Sequence, residues 1–172
     1  FTMIDSQKLP MPNLPDDVAV THDYLLNKKV QIIQRKNGYR AGSDAILAAA
    51  SLSTRHGQIL DLGAGVGAIS LCVAQRLDAL QITALEIDPV AAMLARYNAE
   101  INGVERRLRV VEADITAMPS IMAGSFDHVI SNPPYHYKAG THPRDATRAM
   151  AHMGADTSLR DWVKAAVWAT RP

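Results

Sequence analysis

From about residue 57 onward, apolar residues of this chain fall into short runs, separated by stretches whose apolar positions recur every three to four residues. The runs are Gln58 to Leu62, Gln81 to Ile87, Leu108 to Ala113 and Phe126 to Ser131. Each is too short for a buried helix, and together they predict four strands covered on both faces. Ala68 to Leu77 between them predicts a helix. A second carries Val90, Met93, Leu94, Tyr97 and Ile101 on one face, with Asp88 as cap, Pro89 at its first position and Gly103 at its end. Ser158 caps a last helix whose inner face would hold Leu159, Trp162, Val163, Ala166 and Val167. Strands alternating with helices at this spacing predict an α/β fold with a doubly wound parallel sheet.

Upstream, Val30 to Gln34 predicts a short strand, and Asn37-Gly38 a tight turn that returns it as a hairpin through Tyr39-Arg40. Ser43 would cap a helix with Ile46, Leu47, Ala50 and Leu52 on one face. Pro10, Pro12 and Pro15 interrupt a stretch without periodicity. The division expected is an extended arm over residues 1–20 and one domain over residues 21–172. Arg171-Pro172 follows the last helix directly, where a doubly wound sheet adds a strand beside the fourth. The sheet is therefore expected to be truncated after that helix, with its C-terminal strands in a longer protein. No internal repeat or low-complexity tract is present.

Composition narrows the classes. The 172 residues are 48% hydrophobic and 20% charged, as in a globular domain. A net charge of +1 provides no global positive field, although Lys28, Lys29, Arg35, Lys36 and Arg40 cluster. Cys72 is the one cysteine, which excludes an internal disulfide and a Cys-rich zinc site; it reads as a small buried hydrophobe. The six histidines show no triad or metal-ligand spacing, so no metal is expected. Apolar runs are too short to span a bilayer and the N-terminus lacks a signal-peptide pattern, so a cytoplasmic protein without a membrane partner is expected.

Candidate chemistry begins at Asp61-Leu62-Gly63-Ala64-Gly65-Val66-Gly67, which follows the first strand of the alternating region and opens a helix. Glycines let a backbone turn sharply and let a ligand come close to it. Gly63, Gly65 and Ala68 satisfy the dinucleotide pattern, so the loop alone admits either NAD or S-adenosylmethionine. Asp61 discriminates, because a carboxylate beneath the loop repels a pyrophosphate but complements an ammonium and a sulfonium. Glu86 ends the second strand, where it can accept from both ribose hydroxyls. Asp114 ends the third and can accept from an adenine amino group, between apolar walls at Ile87 and Ile115. All of these lie at carboxyl ends of strands, where open α/β sheets bind ligands.

The fourth strand breaks into Asn132-Pro133-Pro134-Tyr135. This sequence resembles the catalytic motif of amino-directed methyltransferases that use S-adenosylmethionine. With Asp61 to Gly67, Glu86 and Asp114 in order and spacing before it, the chain from about residue 30 resembles the class I methyltransferases, whose sheet is Rossmann-like. The resemblance implies that Gly63, Ala64 and Gly65 line the methionine portion, Glu86 the ribose and Asp114 the adenine, with S-adenosylhomocysteine as product. It also implies that the Asn132 side-chain oxygen and the Pro133 carbonyl accept from the two N–H bonds of an exocyclic amine, while Tyr135 stacks on the base.

The motif serves adenine N6 in DNA or RNA, guanine N2 in ribosomal RNA and the glutamine amide of release factors. Gln34 to Asp44 resembles the corresponding segment of small-domain bacterial tRNA (adenine-N6) methyltransferases that modify the adenine next to the anticodon of valine tRNA. That group implies Tyr39, Gly42 and Asp44 over the cofactor and tRNA as partner. An anticodon-loop base is already unpaired, which suits a compact enzyme. Lys138, Arg144, Arg148 and Arg160 could contact phosphate, while His136 departs from the apolar aromatic that commonly follows the tyrosine. Outside this class, the alternatives are an NAD-dependent oxidoreductase or a non-catalytic nucleotide-binding module.

Overall fold

The computed structural model describes residues 9–133 and 157–172. Tyr135, His136, Lys138, Arg144 and Arg148 lie outside the described residues. A parallel sheet is formed by β3 (Gly57–Leu62), β4 (Leu80–Glu86), β5 (Leu108–Glu112) and β6 (His128–Ser131), in the order β5-β4-β3-β6. The strand order reverses between β3 and β6, which is where such sheets open a crevice. β3 is buried on both faces, with Ile59, Leu60 and Leu62 all 0% exposed. Alternation divides them: Ile59 joins the core under α1 (Ser43–Ser51) and α2 (Ala68–Arg76), whereas Leu60 and Leu62 join the core under α4 (Leu159–Ala169). Helices thus cover both faces, and a parallel α/β sheet is observed.

Local chemistry explains most boundaries. Asp88 caps α3 (Pro89–Ile101) by accepting from the Val90 and Ala91 amides, with Pro89 at the first position. Ser158 and Asp161 form a reciprocal capping box at α4. Cys72 is 2% exposed, and burial pushes its thiol up to about 11.

Four expectations are corrected. First, β2 (Val30–Arg35) pairs antiparallel with β1 (Val20–Leu25), so the hairpin lies upstream and not through Tyr39-Arg40. Its turn uses Leu26, Asn27 and Lys28, all at positive φ without a glycine, which hid it from a reading keyed to Asn-Gly. Arg40 instead crosses back to the Thr21 hydroxyl and the Asp23 carboxylate. Second, α1 is capped by Gly42 with no side-chain bond, and Ser43 is already helical. Third, the inner face of α1 is Ala45 and Ala49, flanked by partly buried Ile46 and Leu52, while Leu47 is 69% exposed. Fourth, α4 turns Ala165 and Ala169 inward beside Trp162 and Ala166; Leu159, Val163 and Val167 face outward. On both helices the buried positions carry alanine, so short side chains and not the large apolar ones are turned to the core.

β2 is held along its other edge by side chains. Asn102 accepts from the Gln31 N–H (2.8 Å) and donates to the Gln31 carbonyl (2.7 Å). Asn98 does the same for Ile33, at 2.7 and 2.9 Å. From the arm, Leu9 and Leu14 pack on Ile33, Leu94, Tyr97 and Ile101. At β6, Phe126 forms a parallel bridge with Thr170, after α4. No helix among the described residues is long and apolar enough to cross a membrane.

Candidate functional site

The glycine loop turns over the end of β4, because the Gly63 and Ala64 amides both donate to the Leu85 carbonyl at 2.9 Å. Gly63, Gly65 and Gly67 all take positive φ, for different surroundings. A Cβ on Gly63 would stand 2.2 Å from Trp162 Cη2, so the indole ring packs directly on this glycine. A Cβ on Gly65 would meet nothing within 4 Å, so the backbone there faces open space that a ligand can enter. At Gly67 the neighbour is the Ala95 Cβ at 3.5 Å, which sets how closely α3 approaches.

Asp61 lies beneath this loop, 0% exposed. Its Oδ2 accepts from the Ser70 amide (3.1 Å) and hydroxyl (2.6 Å), while Oδ1 has no partner. Burial pushes its carboxyl up to about 6. Glu86 is 2% exposed. Its oxygens accept from the Gly65 amide at 2.7 Å and the Asp88 amide at 2.8 Å, tying the loop to the end of β4. Burial raises its carboxyl too, against those hydrogen bonds. Arg35 meets Asp88 through both guanidinium nitrogens, which brings the β1–β2 hairpin to the same edge.

The third strand's acid is used locally. Asp114 Oδ1 accepts from the Thr116 amide and hydroxyl and so caps the 3-10 turn Ile115–Ala117. Ile115 and Met118 face Lys164 and Trp168 of α4 across an open groove of about 470 Å³. Asp114, Glu86 and Ile87 do not line that groove.

The acceptor side adjoins the loop by strand register. Leu62 pairs with Ser131, and the Ser131 hydroxyl donates to the Leu62 carbonyl at 2.6 Å. Asn132 and Pro133 therefore leave β6 beside Gly63. The Asn132 Nδ2 donates to Asp44 Oδ2 at 2.6 Å and to the Tyr39 hydroxyl at 2.9 Å. The Tyr39 hydroxyl donates in turn to Asp44 Oδ2. The hydrogen bond from Tyr39 and the one from Asn132 hold the Asp44 carboxyl below the usual carboxylate range, against the cost of its partial burial. A Cβ on Gly42 would crowd Asp44 Oδ1 at 3.2 Å. Tyr39, Gly42 and Asp44 thus meet at the Asn132 amide.

Sequence reading missed Ser70, Asn98 and the contact of Trp162 with Gly63. Asn98 also donates to the Val66 carbonyl at 3.0 Å, so one side chain joins hairpin, α3 and glycine loop. A signal for it existed, since Asn98 and Asn102 sit one turn apart, each directly after a residue of the apolar face, Tyr97 and Ile101.

A family model described as "methyltransferase small domain" matches residues 34–161. The chain belongs to this family. Among curated members, a protein of Haemophilus influenzae named tRNA1(Val) (adenine(37)-N6)-methyltransferase is 33% identical over 139 residues, covering 80% of this chain and 59% of that protein. Proteins of the same name from Porphyromonas gingivalis and Shewanella amazonensis are 35% and 42% identical, covering 72% and 56% of this chain and 51% and 41% of theirs. The chain thus spans a little over half the length of most of these relatives. Its fold resembles the crystal structure of a predicted O-methyltransferase from Agrobacterium tumefaciens (TM-score 0.56, 28% identity, 74% of this chain and 56% of that one). It also resembles Pyrococcus horikoshii TYW2 in complex with MeSAdo (TM-score 0.55, 21% identity, 64% and 41%), a likeness of fold alone.

Proposed function

We propose that this chain carries the active site of an S-adenosylmethionine-dependent methyltransferase that modifies the N6 amine of an adenine in tRNA. The observation that carries this reading is the pairing of Leu62 with Ser131, which sets Asn132 against the loop at Gly63. The residues present fit the cofactor. Asp61 Oδ1 is a buried acceptor without a partner, suited to a cationic group, and the Gly65 backbone faces open space. Gly63, Ala64 and Gly65 would hold the methionine portion, Glu86 the ribose, and Asp114, Ile87 and Ile115 the adenine.

When bound, S-adenosylmethionine supplies a methyl group on a sulfonium, and S-adenosylhomocysteine is what remains. The chain's own residues act on the acceptor. Asn132 Oδ1 and the Pro133 carbonyl accept from the two N–H bonds of the amine, drawing it from planarity and aiming its lone pair at the loop. Tyr135 stacks on the base. The amine proton leaves to water, and no strong base is needed because positioning and electrostatics do most of the work. Arg160, exposed at the start of α4, is available to phosphate. A tRNA substrate also supports the reading of a cytoplasmic enzyme. The names of the curated relatives support the choice of tRNA over DNA, ribosomal RNA or a protein glutamine.

The test is mass spectrometry of nucleosides after incubation with unmodified tRNA and S-adenosylmethionine. N6-methyladenosine is expected, and N132A should abolish it while cofactor affinity holds. N2-methylguanosine, or methyl transfer only to protein, would overturn the substrate. Calorimetric binding of NAD but not S-adenosylmethionine would overturn the reaction.

A further inference from the structure

We propose that Asp44 and Tyr39 are positioning residues for the acceptor amide: together they hold the Nδ2 end of Asn132, so that Oδ1 is the atom offered to the substrate amine. This rests on the methyl-transfer reading above. A carboxamide has two ends of nearly equal shape and opposite chemistry. Flipped, Asn132 would aim an NH₂ donor at an amine that is itself a donor, and the contact would repel.

The three side chains admit one assignment. Asp44 Oδ2 accepts from Asn132 Nδ2 at 2.6 Å and from the Tyr39 hydroxyl. The tyrosine has one proton, given to Asp44, so its oxygen can accept from Asn132 at 2.9 Å. Exchanging Nδ2 and Oδ1 would set the amide oxygen against a carboxylate oxygen. The flip is therefore fixed by a charge, which is a stronger constraint than a neutral partner gives. Hydrogen bonding at the Nδ2 end also shifts electron density to Oδ1 and makes it a better acceptor. Gly42 belongs to the same device, because a side chain there would crowd Asp44.

This differs from the role the family resemblance implies for Tyr39, Gly42 and Asp44, which is contact with the cofactor. The two are separable in the full chain. D44A should lower the single-turnover methyl-transfer rate by about 100-fold, the scale of a misplaced catalytic contact, while the Kd for S-adenosylmethionine stays within about twofold. D44N keeps the shape without the charge and should lose about tenfold, and Y39F about fivefold, one neutral hydrogen bond. A Kd that weakens as much as the rate falls would make Asp44 a cofactor ligand and overturn the proposal. So would a D44A rate within twofold of the parent. The Asn132 side-chain NH₂ can be read without RNA by ¹H–¹⁵N NMR, as a downfield-shifted proton protected from solvent exchange in the parent that moves to the free-amide position and loses protection in D44A. Free-amide behaviour in the parent would overturn the orientation whatever the substrate. Absence of methylated tRNA alongside an ordered amide would sink the substrate assignment alone.

Discussion

Asn98 holds Ile33 as a neighbouring strand would, accepting from its N–H and donating to its carbonyl. Its second N–H reaches the Val66 carbonyl, so the same carboxamide that docks the hairpin also pins the glycine loop. N98A strands two buried backbone groups of Ile33 and the half-buried Val66 carbonyl at once. It should cost about 3–5 kcal/mol, read as a lower urea midpoint at unchanged m. N98D should rescue little, because it keeps an acceptor for Ile33 and loses both donors.

Asp61 makes stability depend on pH in the opposite sense to a paired carboxylate. Its folded pKa is raised from 3.8 to about 6, so the unfolded chain ionises first as pH rises. The cost is absent below the unfolded value, grows between the two, and is complete above the folded one. It amounts to about 3 kcal/mol. D61N should therefore stabilise the protein at pH 8 and flatten its stability profile between about pH 4 and 6. A cationic ligand group at Oδ1 favours the ionised form. Cofactor affinity in the parent should accordingly rise with pH through about 6, and D61N should both weaken it and remove that dependence. Chemical denaturation and calorimetry across pH 4–8 check the two halves.

Two glycines of one loop should fail differently. G63A drives a methyl into the Trp162 ring at positive φ, so folding should suffer, by about 2–4 kcal/mol, and W162L should recover part of the loss. G65A meets no atom within 4 Å, so only the backbone strain of about 1–2 kcal/mol should appear in stability. Its larger effect should be on cofactor Kd. Thermal melts and titration of the two variants side by side separate the effects.

Cys72 is the one thiol, buried and held protonated. Alkylation should be very slow in the native protein and should follow global unfolding in denaturant. A fast native reaction would show that α2 opens locally.

Much of the fold could be read from sequence because its cues are local. Asp88-Pro89, Ser158 with Asp161, and the buried runs of β3 and β4 each declare their state within a few residues. The loop and Asn132 were also legible, since both rest on residues with special backbone or polar chemistry. What escaped was long-range. The β1–β2 pairing depends on a turn of Leu26, Asn27 and Lys28 that only tertiary packing keeps in left-handed geometry. The facing of α1 and α4 was misjudged because large apolar residues were assumed to point inward. The small Ala45, Ala49, Ala165 and Ala169 are the buried ones instead. Tyr39 and Asp44 were singled out, but what they touch depends on Asn132, 88 residues beyond Asp44.

The sheet order also dictates a sequence of assembly. The contact that shapes the glycine loop, Gly65 to Glu86, spans 21 residues, whereas the one that brings β6 alongside, Ser131 to Leu62, spans 69. Closing the longer loop is entropically dearer and waits on chain that emerges later from the ribosome. A nascent chain thus completes the β3-α2-β4 unit first and brings Asn132 to the loop only when β6 docks.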